Sequence, residues 1–165
     1  MKLRDYKRSD SKIITSWIKD EESLYKWSAD RICKFPLEGD ELNAEYDGVP
    51  SGMPIYPLTA VDAKDNVIGH ILIRFPDESR KNARLGFVIV SPDLRGKGQG
   101  QVLVRLALQY IGDNFDVDRV TLGVFAKNTS ALNCYKACGF VQSGDILSYE
   151  MPIGTWDLIE MEKAP

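Results

Sequence analysis

A loop with three glycines at alternate positions and two cations lies between two apolar segments of the sequence. It reads RGKGQG, from Arg95 to Gly100, and separates a run that ends at Val90 from one that begins at Val102. Where a strand leads into a helix, the first amides have no intrahelical acceptor, and the helix dipole adds positive potential. Glycines let an anion approach that backbone closely. The loop therefore predicts a phosphate site, although the glycines alone are equally compatible with a surface turn.

The spacing of these residues excludes two common phosphate-binding motifs. A nucleotide-hydrolase loop requires Ser or Thr after Gly-Lys, whereas Lys97 is followed by Gly98. A dinucleotide fingerprint requires its third glycine three positions after the second, but Gly100 comes two after Gly98. Its acidic residue should also end the next strand, and here Asp116 and Asp118 precede that strand. We therefore expect phosphate to be bound in another structural setting.

Two ordered segments resemble sequence motifs of the GNAT acetyltransferases. FVIVSPDLRGKGQGQVLVRLAL is similar to the family's acetyl-CoA-binding motif, a strand and Pro followed by Arg/Gln-x-x-Gly-x-Gly/Ala at a helix start. The residues at those motif positions are Arg95, Gly98 and Gly100. VFAKNTSALNCYKACGF resembles the next block, Asn-x-x-Ala-x-x-x-Tyr-x-x-x-Gly-Phe, which is filled by Asn128, Ala131, Tyr135, Gly139 and Phe140. The resemblance covers roughly residues 56–140, and the first fifty only loosely. Two ordered motifs are far more specific than the glycines alone.

The resemblance implies where acetyl-CoA, the acyl-donor substrate, would bind. In this family the fourth strand, here RLGFVIV, diverges from the fifth, here RVTLGVF, and the pantetheine arm of CoA bonds into the gap like an added strand. The pyrophosphate would lie on the amides of the glycine loop. The implied cofactor-binding residues are Phe87, Val88, Ile89, Val90, Arg95, Gly96, Lys97, Gly98, Gln99, Gly100, Asn128 and Asn133. The alternative roles of the two asparagines are a helix cap for Asn128 and a solvated side chain for Asn133.

The activity that the resemblance implies is transfer of an acetyl group from acetyl-CoA to a primary amine by direct attack. The acceptor would be a small-molecule amine or an amine of a peptide or protein. Tyr135 occupies the position at which many relatives place a general acid beside the CoA sulfur; otherwise it is a packing residue. The glutamate that many relatives carry on the fourth strand is missing, since Arg84 or Leu85 stands near that position.

The missing glutamate leaves the general base open. Its candidates are His70, Asp145, Glu150 and water. The same gap in the motif suggests an alternative function, a non-catalytic acyl-CoA-binding or sensing module of the same fold. Turnover with a panel of amines would separate the two functions.

Composition and charge are those of a globular protein. The chain has 165 residues, of which 44% are hydrophobic and 27% charged, and we expect one domain over residues 1–165. A net charge of -3 argues against nucleic acid as the main partner. The sequence has neither a run long enough to span a membrane nor a signal peptide, so a cytoplasmic protein without membrane association is expected. One histidine and three cysteines argue against a tetrahedral zinc site, and we expect no metal.

Hydrophobic periodicity predicts an α/β (α+β) fold, with hairpins before the loop and strand–helix–strand units after it. Strands are predicted near 3–6, 56–61, 67–75, 84–90, 119–125, 140–143 and 155–162. Helices are predicted around 13–18, 24–27, 102–110 and 128–138, the third of them ending at Gly112. Residues 34–57 read mostly as loop, with a short helix at 40–46. The resemblance adds that the sheet is mixed, twisted, mostly antiparallel and flanked by helices, with a V-shaped splay between the fourth and fifth strands, in a monomer or homodimer.

Overall fold

The computed structural model describes residues 1–50 and 53–164. Within them, eight strands form one sheet in the order β1-β2-β3-β4-β5-β8-β6, and β7 pairs with β8. The strands are β1 (Lys2–Asp5), β2 (Ile55–Val61), β3 (Val67–Arg74), β4 (Asn82–Val90), β5 (Arg119–Phe125), β6 (Val141–Gln142), β7 (Leu147–Met151) and β8 (Gly154–Lys163). The α-helices are α1 (Ser11–Thr15), α2 (Glu21–Ser28), α3 (Gly39–Asp47), α4 (Gln99–Asn114) and α5 (Thr129–Ala137). Every strand pair is antiparallel except β4 with β5, so the mixed, mostly antiparallel sheet is confirmed.

The splay between β4 and β5 is also confirmed. The two strands pair through Asn82, Ala83 and Arg84, which face residues 119–121 of β5. Beyond Arg84 no further pairing joins them among the described residues, while β5 continues on its other side against β8 as far as Phe125. One edge of β4 is therefore left without a strand partner from Leu85 onward.

A β-bulge bends β4 at the start of this free edge. One residue of β3 separates His70 from Leu72, whereas two residues of β4 separate their partners Ile89 and Gly86. Phe87 lies in the bulge with φ of 50°, a left-handed conformation that is rare for a bulky side chain. A bulge bends its strand and increases the local twist, which aims the end of β4 away from β5.

The two faces of the sheet are covered by different helices. Helices α4 and α5 cover a core that includes Ile71 and Ile73 of β3, and α1, α2 and α3 cover a second core that includes Leu72. Because both faces of β3 are buried, its sequence VIGHILIR is apolar almost throughout. The second core meets β4 at Phe87, so the N-terminal helices lie beside the splay.

The structure corrects several predicted boundaries. Helix α4 does not end at Gly112 but continues to Asn114, whose side-chain amide donates to the Tyr110 carbonyl at 2.8 Å. Helix α1 ends already at Thr15, and α3 is longer than the short helix expected at 40–46. Residues 51 and 52 of the predicted loop lie outside the described residues. No helix in the described ranges is long and apolar enough to cross a membrane.

Candidate functional site

A cavity of about 360 Å³ lies where β4 leaves β5. Its walls come from β4, the start of α4, the first turns of α5 and the segment that contains α1 and α2. The predicted site residues that line it are Phe87, Val88, Ile89, Val90, Arg95, Gly100, Asn128 and Tyr135. Two motifs far apart in the sequence thus meet at one cavity.

Five predicted cofactor-binding residues do not line this cavity. Residues 96–99 lie on the glycine loop beyond the cavity wall, and Asn133 is exposed on α5. The solvated side chain considered for Asn133 is therefore the role that its position supports. The N-terminal segment, which the resemblance covers only loosely, also contributes to the wall through Trp17, Ile18, Lys26 and Trp27, among others.

The glycine loop has a backbone conformation that only glycine adopts readily. Gly96 and Gly98 have φ of 71° and 73°, and a Cβ added at either position would meet no atom within 4 Å. Gly98 is the N-cap of α4, and the amides of residues 96–100 have no backbone acceptor among the described residues. Open space before a row of free amides at the start of a 16-residue helix fits a pyrophosphate.

Arg95 supports the mouth of the cavity. Its guanidinium donates to the Val90 carbonyl and to the Trp17 carbonyl, both at 3.4 Å. The side chain therefore connects the glycine loop to the end of β4 and to Trp17, shortly after the end of α1. Lys97, which is exposed like Arg95, does not line the cavity.

Asn128 caps a helix and also lines the cavity. It is the N-cap of α5, where its side-chain oxygen accepts a hydrogen bond from the Ala131 amide at 3.4 Å. It also lines the cavity. The cap fixes the side chain at the point where α5 begins beside the gap.

Tyr135 lies two turns along α5, with only 8% of its surface exposed, and its side chain reaches the cavity. Burial, followed by the neighbouring Cys134 and Cys138 thiols, raises its pKa above the ordinary value, so the phenol keeps its proton at neutral pH. A neutral hydroxyl on a packed helix can donate a proton or a hydrogen bond into the cavity.

Cys134 is part of the cavity wall. A Cβ at Gly100 would lie 3.3 Å from its Sγ, so the two helices α4 and α5 meet closely here. Burial is the main cause that raises the pKa of Cys134 to about 11, which keeps the thiol protonated and poorly nucleophilic. The residue thus packs against the glycine loop, as expected for a wall residue.

None of the three side chains considered as general base lines this cavity. His70 is fully buried between the sheet and the N-terminal helices, with Nε2 2.5 Å from the Tyr46 hydroxyl. Burial lowers its pKa to about 3. Asp145 and Glu150 are exposed, and Glu150 accepts a hydrogen bond from Thr155 at 2.9 Å. None of the three positions therefore supports a side-chain base at the cavity.

A second, smaller cavity of about 100 Å³ adjoins the first. The two share six wall residues, which are Lys26, Trp27, Leu85, Gly86, Phe87 and Gly123. The remaining wall includes Arg31, Arg74 and Arg84. Among the residues described by the structure, no Asp or Glu lines either cavity.

The chain is similar to known acetyltransferases in both sequence and fold. The model of the acetyltransferase (GNAT) family matches residues 15–140. The spermidine N(1)-acetyltransferase of Vibrio cholerae is 25% identical over 145 residues, which cover 88% of this chain and 81% of that protein. The peptidyl-lysine N-acetyltransferase YjaB of Escherichia coli is 32% identical over 111 residues, covering 64% and 67%. A crystal structure of the V. cholerae spermidine N-acetyltransferase with CoA and spermine superimposes with a TM-score of 0.80 at 23% identity, covering 98% of this chain and 94% of that one.

Proposed function

This chain belongs to the GNAT acetyltransferase family. We propose which of its residues bind acetyl-CoA and which take part in acetylating an amine. The protein is an acetyl-CoA-dependent N-acetyltransferase. The observation that carries the assignment of roles is the cavity at the splay, where β4, the glycine loop, Asn128 and Tyr135 meet. We treat residues 1–165 as one domain with this function.

The binding roles follow from the free backbone groups beside the gap. Residues 87–90 offer an unpaired strand edge to which the pantetheine arm of CoA can add. The amides of residues 96–100 have no backbone acceptor among the described residues, the space at Gly96 and Gly98 is open, and we assign the pyrophosphate to this loop. Arg95 and Asn128 fix the two ends of the cavity mouth. We assign no contact to Asn133, because it is exposed away from the cavity.

The reaction needs two proton transfers, one to the departing CoA sulfur and one from the attacking amine. Bound acetyl-CoA supplies a thioester with an electrophilic carbonyl carbon. Tyr135 lies where its hydroxyl can donate a proton to the departing sulfur. Water accepts the proton that the attacking amine loses, since none of His70, Asp145 and Glu150 lines the cavity.

A small-molecule amine fits the acceptor side better than a protein. The smaller cavity of about 100 Å³ opens beside Gly86 and Phe87 and admits a short group.

For the oligomeric state we propose a monomer or a homodimer. Exposed apolar side chains on β6 and around β7, namely Val141, Ile146, Leu147 and Ile153, support a dimer contact there. The free thiols Cys33, Cys134 and Cys138 fit a reducing, cytoplasmic compartment.

The test is steady-state release of CoA thiol from acetyl-CoA in the presence of a panel of primary amines. We expect amine-dependent release and an acetylated product by mass spectrometry. CoA binding without release above the hydrolysis background on any amine would overturn the catalytic assignment and favour the acyl-CoA-sensing alternative.

A further inference from the structure

We propose that the acceptor of this enzyme is an amine that also carries a carboxylate, and that Arg74 binds this carboxylate in the smaller cavity. The inference rests on the proposed function, since it names the substrate class for the same site. It follows from the charge and the hydrogen-bonding groups of the cavity walls.

The smaller cavity contains one cation without a carboxylate partner. Arg31 is paired with Glu45, which accepts from its Nε at 2.6 Å. Arg84 is held by Glu160 through two hydrogen bonds of 2.7 and 2.8 Å. Arg74 makes no ion pair within the described residues, although it is only partly exposed. Its guanidinium is therefore the one among the three arginines of this cavity that has no carboxylate within ion-pair distance in the described ranges.

The surroundings of Arg74 favour an anion. Burial, followed by the charges of Arg31 and Arg84, lowers the pKa of Arg74 to about 10, although Glu160 and Glu45 act in the opposite direction. An anionic group beside it would offset both the burial and the repulsion between the like charges. A guanidinium presents parallel N–H donors that match the two oxygens of a carboxylate.

A second donor without a partner among the described residues belongs to a wall residue of both cavities. The indole Nε1 of Trp27 is buried and has no hydrogen-bond partner in the part of the chain that the structure describes. Trp27 lines both cavities. A buried donor without an acceptor is costly, and a ligand oxygen would satisfy it. The cavity thus offers donors and no carboxylate acceptor, which suits an anion and opposes a cation.

The position of the smaller cavity connects this anion site to the reaction. Because Gly86, Phe87 and Gly123 line both cavities, one small molecule can span them. Its carboxylate would lie at Arg74 while its amine enters the gap between β4 and β5. A polycation of the kind named for the spermidine acetyltransferases would place a second positive charge beside Arg74 instead. We therefore expect polyamines to be poor acceptors.

The proposal is tested by comparing acceptors of matched length on the wild-type enzyme and variants. The acceptors are 4-aminobutanoate, its neutral amide, 1,4-diaminobutane and 3-aminopropylphosphonate. We expect kcat/KM for 4-aminobutanoate to exceed that for the amide and the diamine at least 10-fold. Arg74→Gln should lower it at least 10-fold, mainly through KM, while turnover of the amide stays within about 3-fold. Arg74→Lys should retain part of the preference, and Arg119→Gln, which removes an exposed cation elsewhere, should change nothing.

Calorimetric titration of 4-aminobutanoate into the CoA-saturated protein gives a readout that is independent of turnover. We expect binding that weakens at least 10-fold in Arg74→Gln. A preference for the diamine, or an unchanged 4-aminobutanoate KM and affinity in Arg74→Gln, would overturn the proposal while leaving the acetyltransferase intact. Faster turnover of the phosphonate would identify phosphate as the anion and contradict the carboxylate. Calorimetric binding of 4-aminobutanoate that depends on Arg74, without acetylation of any amine, would instead contradict the proposed function.

Discussion

Arg84 of β4 and Glu160 of β8 are joined by two hydrogen bonds of 2.7 and 2.8 Å beside Gly123 of β5. A Cβ at Gly123 would lie 2.9 Å from Arg84 Nη2 and 3.4 Å from Glu160 Oε1. The pair thus depends on the absence of a side chain at Gly123, which also lines both cavities. Glu160 thus neutralises Arg84, which stands near the position at which many relatives carry a glutamate on the fourth strand.

Gly123→Ala should move the Arg84 guanidinium away from Glu160 and lower the free energy of unfolding by up to about 1 kcal/mol, because the atom that the new methyl group meets is the end of a side chain that can shift. Urea denaturation measures the change. Gly112→Ala is the control, since a Cβ there meets nothing within 4 Å and alanine favours the helix interior. That control should be as stable as the wild type or more so. Equal stability of the two variants would show that the Arg84–Glu160 pair does not constrain Gly123.

Gly98→Ala should weaken CoA binding at least 10-fold, because a methyl group would occupy the space in front of the loop amides. Gly144 has φ of 77° with nothing within 4 Å of its Cβ position, so Gly144→Ala carries similar backbone strain away from the cavity. Each substitution should cost about 1–2 kcal/mol of stability. Calorimetry should find weakened CoA binding in Gly98→Ala alone. Equal CoA affinity in both variants would exclude the loop from phosphate binding.

Tyr135→Phe keeps the ring and its packing and removes only the hydroxyl. If this hydroxyl protonates the departing sulfur, kcat should fall by roughly 10²-fold or more. CoA affinity should change little, because the proposed contacts lie on β4 and the glycine loop. Single-turnover kinetics and CoA titration measure the two quantities. A variant with kcat within a few-fold of the wild type would show that the thiolate leaves unassisted.

His70 should make stability depend on pH below neutrality. Its pKa is about 3 in the folded protein and about 6.5 in an unfolded chain, so acid protonates the unfolded state first. Stability is then fully present above pH 6.5 and is lost as the pH falls, by at most about 1.4 kcal/mol per pH unit. His70 is the only histidine, so denaturation between pH 6.5 and 5 isolates it. His70→Gln should flatten the slope; an unchanged slope would contradict the buried neutral imidazole.

The sequence predicted the parts of the site that short motifs encode. The left-handed backbone at Gly98 is a local property of that residue, and Asn128 caps the helix that begins directly after it. Both could therefore be recognised from neighbouring residues in the sequence. The burial of His70 could not, because β3 is apolar on both faces and its sequence does not show which helices cover it. The extension of α4 past Gly112 depends on Asn114, whose side chain bonds back to Tyr110.

The acceptor side could be predicted only in part, since its charged groups depend on contacts between distant segments. Arg74 of β3 and Arg84 of β4 are paired across the sheet. Arg84 bonds to Glu160 of β8, which is 76 positions further along the chain. Trp27 enters the site from a part of the chain that the resemblance covered only loosely. Tertiary pairing of this kind leaves no periodic signal in the sequence.

Amide hydrogen exchange of the protein with and without CoA, followed by mass spectrometry, tests whether the cofactor binds between β4 and β5. We expect CoA binding to slow exchange in two segments, residues 87–90 on the free edge of β4 and residues 96–100 of the glycine loop. Residues 67–74, already paired in β3, should change little and serve as the internal reference. Tight CoA binding with no added protection at 87–90 and 96–100 would contradict the placement of the cofactor between β4 and β5.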